Sequence, residues 1–402
     1  MSDQARGIIW NDTPFRVLFA GSFFCALAGK IYELTMPLLI YHVSRSAELM
    51  GWVRAVELLP YILLGAFIGV WVDRVDRKRW TQWMLLGQMM SLIIAWFALS
   101  FLSQPLFVLF PCAFFMMLFN FGYMNARMGI LKTILHTSQQ KKAASAMSSL
   151  TSLLQALGPL ISGALLLFSH YNETLIFIAI IIFIAWCLHG KLGYPSQTRN
   201  TQGTILQSVK YGLSILCGNT RLLYMSLAVS LFNMCAMVFY IQSLYFVQAH
   251  LKLSTFHVGL MVSLGGIGGV IGAVVVNKLR NLLGMGYAFS VSILVQSFSY
   301  LMIFFVQSEL MFIFSFVWAG FFEAVIGVLV YSLRQESVLA QDLGKVMGIT
   351  GVLFKLAAPF GLVLSGYSFS DASVRYLLFF CFIIQLLTSS LLVMQRQIRS
   401  CK

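Results

Sequence analysis

The chain has 402 residues, of which 59% are hydrophobic and 10% are charged. A soluble globular protein averages about 45–50% apolar and about 25% charged residues. This composition therefore excludes a soluble domain and predicts an integral membrane protein. The formal net charge of +14 is expected at cytoplasmic loops beside anionic lipid, so it requires no nucleic-acid partner.

Twelve apolar stretches, each of the length of a transmembrane helix, follow one another along the chain. We expect helices rather than strands because lipid offers backbone groups no hydrogen-bond partner, and because the alternation typical of a membrane barrel is missing. The predicted spans cover residues 14–43, 47–72, 80–102, 105–130, 143–169, 173–192, 221–249, 255–277, 283–307, 309–333, 345–369 and 373–395.

Basic residues fall mainly on one side of these spans. With the N-terminus inside, twenty Lys and Arg lie on the inner side, and only Arg45, Lys252 and Arg375 lie on the outer side. The positive-inside rule then places both termini in the cytoplasm. We expect a multi-pass protein of the inner (cytoplasmic) membrane that is surrounded by the lipid bilayer and acts as a monomer.

The spans divide into two sets of six around one long polar interruption at residues 193–219. Pro159 in the fifth span and Pro359 in the eleventh lie 200 positions apart, and a glycine-rich pattern in the second span recurs 204 positions later in the eighth. We predict an N-terminal six-helix bundle over 1–192, a cytoplasmic linker over 193–219 and a C-terminal six-helix bundle over 220–402. Two similar halves are typical of a secondary transporter.

The second span ends in a glycine-rich stretch followed by a charged inner loop. Glycines four positions apart let a neighbouring helix approach closely. The residues of this pattern are Gly65, Gly69, Asp73, Arg74 and Arg77. The segment resembles the signature loop of the major facilitator superfamily, which has a glycine, then Asp-Arg, then a cluster of Arg and Lys.

The resemblance implies an all-α membrane fold of two pseudo-symmetric six-helix bundles, with a gate at this loop. In that family the Asp pairs across the two halves and with an Arg of the fourth helix. Asp73 takes the first role by its motif position, and Arg127 is the candidate for the second. The family has Gly between the two charged groups, where this chain has Val75 and Asp76.

The fifth span carries Gly158, Pro159 and Gly163. These residues resemble an element found in exporters of the superfamily, although Leu154 stands where those exporters have a further Gly. The run ELLP before the charged loop and the segment from Leu131 to Pro159 resemble the macrolide-efflux and enterobactin-exporter branch. The resemblance implies export of a small amphipathic organic molecule, either a siderophore or a drug.

A charge inside the bilayer costs about 2.5–3.5 kcal/mol on insertion scales, so each one needs a partner or a task. Residues three positions apart share one face of a helix, and residues at equal depth on adjacent helices can pair. The charges within the spans form three candidate pairs: Lys30 with Glu33, Arg54 with Glu57, and Glu323 with Lys355. Proton coupling and structural ion pairing are both open for each pair.

A bulky organic solute requires stacking faces and hydrogen bonds in the cavity. The candidate cavity residues are Tyr32, Asn120, Tyr123, Asn233, Tyr240 and Trp318. No G-x-x-x-x-G-K-[ST] loop is present, so we expect proton antiport driven by an ion gradient, with no bound cofactor. The histidines lie mainly near loop ends and the seven cysteines lack a CxxC pair. We therefore expect no metal site, and we interpret the cysteines as small buried hydrophobes.

Three other functions compete with export. A proton-coupled importer of a small nutrient shares the same fold. A membrane prenyltransferase is suggested by Asp73 and Asp76, but residues 193–219 contain no Asp or Glu to complete a magnesium site. A channel would show filter segments. We expect a transporter that works by alternating access and is not an enzyme.

Overall fold

The structure is a computed structural model that describes residues 9–193, 205–306, 308–338, 343–367 and 371–395. Within these ranges the regular elements are all helical, beginning with a short 3-10 helix at Ile9–Asn11. The α-helices are α1 Thr13–Ser44, α2 Ala47–Arg74, α3 Arg77–Phe101, α4 Leu106–Ile134, α5 Thr137–Phe168, α6 Tyr171–Gly190, α7 Ile205–Gly218, α8 Thr220–Ala249, α9 Thr255–Leu283, α10 Met285–Phe304, α11 Glu309–Ser337, α12 Leu343–Leu356, α13 Ala358–Ser365 and α14 Asp371–Met394.

Eleven stretches of the described chain are long and apolar enough to cross a membrane. One of them, Val346–Ser365, joins α12 and α13. Helix α2 is also long: its 28 residues extend about 42 Å at 1.5 Å per residue, more than the hydrocarbon core of about 30 Å. The prediction of an all-helical membrane fold is confirmed: eleven of the twelve predicted spans match a candidate crossing helix, and α2 covers the position of the twelfth, residues 47–72.

Helix α7 lies inside the segment that was predicted to be a polar interruption. Gly212 and Leu216 lie four positions apart and are both buried, and Leu216 belongs to a core that also contains Leu222 and Phe289. Exposed residues, among them Lys210, Tyr211 and Ser214, occupy the rest of the helix surface, so this spacing is hard to see in the sequence. The linker thus contains a helix of 14 residues in addition to polar chain.

The chain forms two compact units. The first comprises the described residues of Met1–Met36 and Val56–Gly203, and the second comprises those of Pro37–Ala55 and Thr204–Lys402. These units are defined by contacts, whereas the predicted bundles over 1–192 and 220–402 were defined by the linker. The bundle boundaries stay a prediction.

In the second unit, α9 packs closely against α11 through glycines. A Cβ atom at Gly268 would meet the carbonyl of Val317, and one at Gly272 would meet the carbonyl of Phe321. Because glycine has no side chain, the two backbones can come this near. The surface of α9 on which α11 packs thus includes Gly268 and Gly272, each one position before Gly269 and Ala273, which match the second span at an offset of 204.

Two turns share an unusual backbone conformation. Arg45, between α1 and α2, has φ 56°, and Lys252, between α8 and α9, has φ 52°. Non-glycine residues rarely adopt positive φ. The two residues lie 207 positions apart, close to the repeat length of the sequence, so these turns are a further correspondence between the two halves.

Candidate functional site

The predicted pair on α1 is formed. Lys30 Nζ donates to Glu33 Oε2 at 2.7 Å, and the two side chains are 21% and 39% exposed. The spacing of three residues places both side chains on one helical face. The pair neutralises two charges that would each be costly in the membrane, and it leaves the carboxylate accessible.

The predicted export element packs directly against this pair. A Cβ atom at Gly158 would lie 2.6 Å from Lys30 Cβ, so only glycine fits beside the stem of that lysine. One turn further along α5, Ser162 Oγ donates to the carbonyl of Gly158 at 2.8 Å and to that of Lys30 at 3.3 Å. Two features predicted separately, the charge pair and the Gly-Pro element, therefore meet where α1 contacts α5.

The other two residues of the export element also lie within α5. Pro159 is part of the helix, which remains continuous from Thr137 to Phe168. Gly163 is buried. The export element is therefore a close-packing surface on an unbroken helix.

The predicted gate loop is described in part. The side chains of Gly69, Asp73 and Arg74 lie outside the described part of the structure, so their roles stay predictions. Arg77 packs on α4, since a Cβ atom at Gly129 would lie 2.6 Å from Arg77 Nε.

Asp76 explains the departure of this loop from the family pattern. Its side chain accepts hydrogen bonds from the backbone N–H of Lys78 at 2.9 Å and of Arg79 at 3.0 Å. Asp is a favoured N-cap because its carboxylate satisfies otherwise unpaired donors of the first turn. Asp76 thus begins α3, while Gly65 lies half-buried on α2 and Arg127 is buried on α4.

Of the other two predicted charge pairs, Arg54 and Glu57 both lie on α2, and Glu323 and Lys355 lie on different helices. The guanidinium carbon of Arg54 lies 5.8 Å from the ring centroid of Tyr240, a cation–π contact in the second unit. Glu57 is buried on α2, and Glu323 is exposed on α11. Lys355 lies half-buried in the last turn of α12. The pairings of Arg54 with Glu57 and of Glu323 with Lys355 stay predictions.

Several predicted cavity residues make contacts within the protein. Asn233 Nδ2 donates to the carbonyl of Phe354 at 3.0 Å, and Trp318 Nε1 donates to the carbonyl of Val295 at 2.6 Å. Tyr32 is buried and Asn120 is half-buried. Their contact with a substrate stays a prediction.

Sequence reasoning missed His189, which is fully buried near the C-terminal end of α6. Its Nε2 lies 3.3 Å from Tyr123 Oη, and its Nδ1 lies 2.8 Å from the carbonyl of Ala185. Its ring fills the space beside Gly21 of α1. A histidine near a helix end gives no sign of burial in the sequence, because only the tertiary packing brings Gly21 and Tyr123 to it.

Comparison with known proteins agrees with this fold. The family model of the Major Facilitator Superfamily matches residues 18–362. No curated protein sequence matches the chain.

Three solved structures illustrate the likeness. A bacterial homologue of the iron transporter ferroportin, in an inward-facing state, is 13% identical with a TM-score of 0.74 and covers 96% of this chain and 98% of its own. A bacterial homologue of the human lysosomal transporter Spinster is 12% identical with a TM-score of 0.73 over 98% and 97% of the two chains. A mutant of the nucleoside transporter NupG is 12% identical with a TM-score of 0.75 over 94% and 99%. At such identities the likeness shows the fold, while the family match covers most of the sequence, and this chain belongs to the Major Facilitator Superfamily of multi-pass membrane transporters.

Proposed function

We propose that the chain exports a small amphipathic organic molecule, a siderophore or a drug, across the cytoplasmic membrane by proton antiport. The observation that carries this proposal is the contact between Lys30 of the ion pair and Gly158 of the export element. The carboxylate of this pair can gain or lose a proton, and the pair lies at the contact between α1 and α5. Alternating access would rearrange a contact of this kind. Both termini lie in the cytoplasm in this proposal, as the distribution of Lys and Arg favours.

Glu33 is the group for which proton and substrate compete. A carboxylate can accept about four hydrogen bonds, and Glu33 is 39% exposed while Lys30 holds its Oε2. It can therefore accept the hydroxyl or ammonium donors of a solute beside Lys30. A proton arriving from outside binds to this acceptor, which weakens the binding of the solute. The solute is then released. Antiport requires that the proton and the substrate compete for one group.

Lys30 links this exchange to the protein. When Glu33 is protonated, the ammonium of Lys30 loses the counter-ion 2.7 Å away and is costly inside the membrane. Because the stem of Lys30 packs against Gly158, a movement of Lys30 changes the packing of α5. A ligand shifts a conformational equilibrium only if it interacts differently with the two states, and this contact supplies such a difference.

Inside-out membrane vesicles test the proposal, because an exporter accumulates its substrate inside them. The probes are a catecholate siderophore and a macrolide, with respiration supplying the proton gradient. We expect accumulation of one probe that a protonophore abolishes. Glu33→Gln should lose the gradient-driven accumulation at unchanged expression. The matched control is Glu309→Gln, which neutralises a carboxylate in the first turn of α11 and should transport normally.

The outcomes separate the alternatives. Normal accumulation by Glu33→Gln would show that this carboxylate does not couple transport to protons. Accumulation only in right-side-out vesicles would identify an importer. If neither probe moves in either orientation, the proposed substrate class is wrong. A deletion strain profiled for retained siderophore under iron limitation and for drug sensitivity then distinguishes the two substrates in the cell.

A further inference from the structure

Arg334 lies one turn before the end of α11 and contacts α12. Its Nη1 donates to Thr350 Oγ1 at 3.4 Å, and its guanidinium carbon lies 5.2 Å from the ring centroid of Phe354 and 5.9 Å from that of Tyr331. Thr350 is fully buried and itself donates to the carbonyl of Val346 at 2.8 Å. The guanidinium is therefore held in one place by a hydroxyl and two aromatic rings.

Most of the hydrogen-bond donors of Arg334 are unused. A guanidinium has five N–H groups, and one of them binds Thr350. The Nε atom is buried without a hydrogen-bond partner. Among the described residues, no carboxylate pairs with Arg334, and the neighbouring acid, Glu336, is bound at both oxygens by Arg280. The dipole at the end of α11 stabilises a cation, but it leaves these donors without acceptors.

The internal repeat accounts for the missing acid. Arg334 lies 207 positions after Arg127, the offset that also relates the two turns of positive φ. In the first half the motif predicts that Arg127 pairs with Asp73, whereas the residue 204 positions after Asp73 is Asn277. The second half thus keeps the base of the motif and has a neutral residue in place of its acid.

Arg334 belongs to an exposed face of α11. Glu323, Gly327 and Tyr331 precede it at spacings of four, four and three residues, which places them on one side of the helix. All three are exposed, and a Cβ atom at Gly327 would meet no packed atom within 4 Å. A face with two charges is costly against lipid, so we expect it to border water or a ligand. Glu323 lies about three turns from Arg334, too far to neutralise it.

The part of α12 beside Arg334 also leaves space. Gly348 and Gly351 lie close to Thr350 in the helix, two positions before it and one position after it. Gly348 is exposed and Gly351 is half-buried, and a Cβ atom at either would meet no packed atom within 4 Å. Open space is therefore available along both helices near the guanidinium.

We propose that Arg334 binds an oxyanion, a carboxylate or a phosphate, that belongs to the transported solute. A guanidinium binds such groups through two parallel hydrogen bonds, and stacking on an aromatic ring leaves its donors free. The ring of Tyr331 is 47% exposed and offers an apolar surface beside the oxyanion. This inference rests on the proposed transport function, and it narrows the substrate class to acidic amphipathic solutes. The phosphate of a phospholipid has the same chemistry, so the test must separate the two sources.

The test uses the full-length protein in detergent with benzoate as the probe, because benzoate combines a carboxylate with an aromatic ring. Saturation-transfer NMR titrations measure its affinity, and benzamide, a neutral analogue of similar shape, reports binding of the ring alone. We expect benzoate to bind about tenfold more tightly than benzamide, and Arg334→Gln to remove this difference. Arg334→Lys should lower the affinity about threefold, because an ammonium keeps the charge but cannot form two parallel hydrogen bonds.

The matched control is Lys278→Gln, which removes one exposed positive charge from α9 of the same unit. It should leave the affinity for benzoate unchanged. An equal loss in Lys278→Gln and Arg334→Gln would overturn the site, because the effect would then come from net charge. Asp342→Asn removes an acid from the segment between α11 and α12 and should also change nothing. Tighter binding of benzoate in this variant would identify Asp342 as the partner of Arg334 and would overturn the proposal.

Lipid phosphate is tested with a soluble short-chain phosphatidylglycerol. If Arg334→Gln loses binding of this lipid but not of benzoate, the oxyanion comes from the bilayer and the proposal is wrong. Benzoate binding that does not depend on Arg334 overturns it as well. Should Arg334→Gln fail to fold, Arg334→Lys decides, and unchanged affinity in that variant contradicts the site. Because binding is measured without transport, failure of this site and failure of export in vesicles are separate results.

Discussion

Each half of the chain carries one lysine on the pair formed by its first and fifth helices. The lysine lies on the first helix in one half and on the fifth helix in the other. In the first half, Lys30 lies on the first helix, α1, and packs against Gly158 of the fifth helix, α5. In the second half, Lys355 lies on the fifth helix, α12, and the first helix, α8, contributes the neutral Asn233. The position that matches Lys355 in the first half, 200 residues earlier, is Gln155. The repeated scaffold thus carries its charges asymmetrically.

The two prolines of this contact differ in the same way. Pro159 lies within the continuous α5, whereas Pro359 follows a break between Leu356 and Ala358 and lies in the first turn of the short α13. The end of α12 leaves backbone carbonyls without helical partners, and Asn233 donates to one of them, that of Phe354. A cation is stabilised at the C-terminus of a helix. The break therefore provides a favourable place for Lys355, which the unbroken α5 would not.

The largest effect is expected from making the first half resemble the second at Gly158. The matching residue 200 positions later is Ala358, yet a Cβ atom at Gly158 would lie 2.6 Å from Lys30 Cβ. Gly158→Ala should lower the free energy of unfolding by about 3 kcal/mol, the upper end of overpacking costs. It should also abolish export. Thermal unfolding in detergent and vesicle transport measure the two effects.

The control for this substitution lies on α12. A Cβ atom at Gly351 would meet no packed atom within 4 Å, so Gly351→Ala should leave stability unchanged or raise it by about 0.5–1 kcal/mol, since Ala is the better helix former. Equal destabilisation by both substitutions would show that the contact between Lys30 and Gly158 is not the cause.

The second effect distinguishes the two prolines. A proline inside a helix lacks one hydrogen bond, whereas one in the first turn replaces an N–H that has no helical partner. Pro159→Ala should therefore raise the free energy of unfolding by about 2 kcal/mol, less than the cost of about 3 kcal/mol in soluble helices because membrane helices tolerate proline better. Pro359→Ala should change it little. Unfolding in mixed detergent micelles compares the two variants. Equal gains in the free energy of unfolding would contradict the difference that we assign to the two prolines.

How much of this could be predicted from sequence depends on the range of the interaction. The helices follow from long apolar runs, because lipid permits few alternatives, and the pair of Lys30 with Glu33 follows from spacing within one helix. The bond from Asn233 to Phe354 joins residues 121 positions apart, so only packing reveals it. Pro359 repeats Pro159 in the sequence, but the sequence did not show that the helix ends shortly before Pro359.

The third prediction concerns the break itself. Asn233→Leu keeps the approximate side-chain volume but removes the donor to the Phe354 carbonyl. We expect a loss of about 1 kcal/mol, the lower end for an unsatisfied acceptor because Phe354 is only half-buried. The control is Asn125→Leu on α4, where Nδ2 donates to the carbonyl of Phe121 within the same helix. That substitution should cost less, and a greater loss than in Asn233→Leu would contradict the role of Asn233 at the break.

The smallest effect concerns an ion pair between α9 and α11, whose charges are reversed relative to the pair that the motif predicts for the first half. Arg280 of α9 donates to both carboxylate oxygens of Glu336 of α11, at 2.8 and 3.0 Å, and the side chains are 29% and 50% exposed. In the first half the motif predicts an acid on α2, Asp73, and a base on α4, Arg127, which is 8% exposed.

An exposed ion pair contributes about 0.2–1 kcal/mol, and salt screens it. Glu336→Gln should therefore lower the free energy of unfolding by about 0.5 kcal/mol at low ionic strength. The difference should disappear at about 1 M salt, where the screening length is only about 3 Å. Paired unfolding curves of the wild type and the variant at the two salt concentrations measure it. A difference that persists at high salt would mean that the pair is shielded from solvent, because only buried charges escape screening. The second half would then contain a protected ion pair between α9 and α11, with its charges arranged opposite to those of the pair that the motif predicts between Asp73 and Arg127 in the first half.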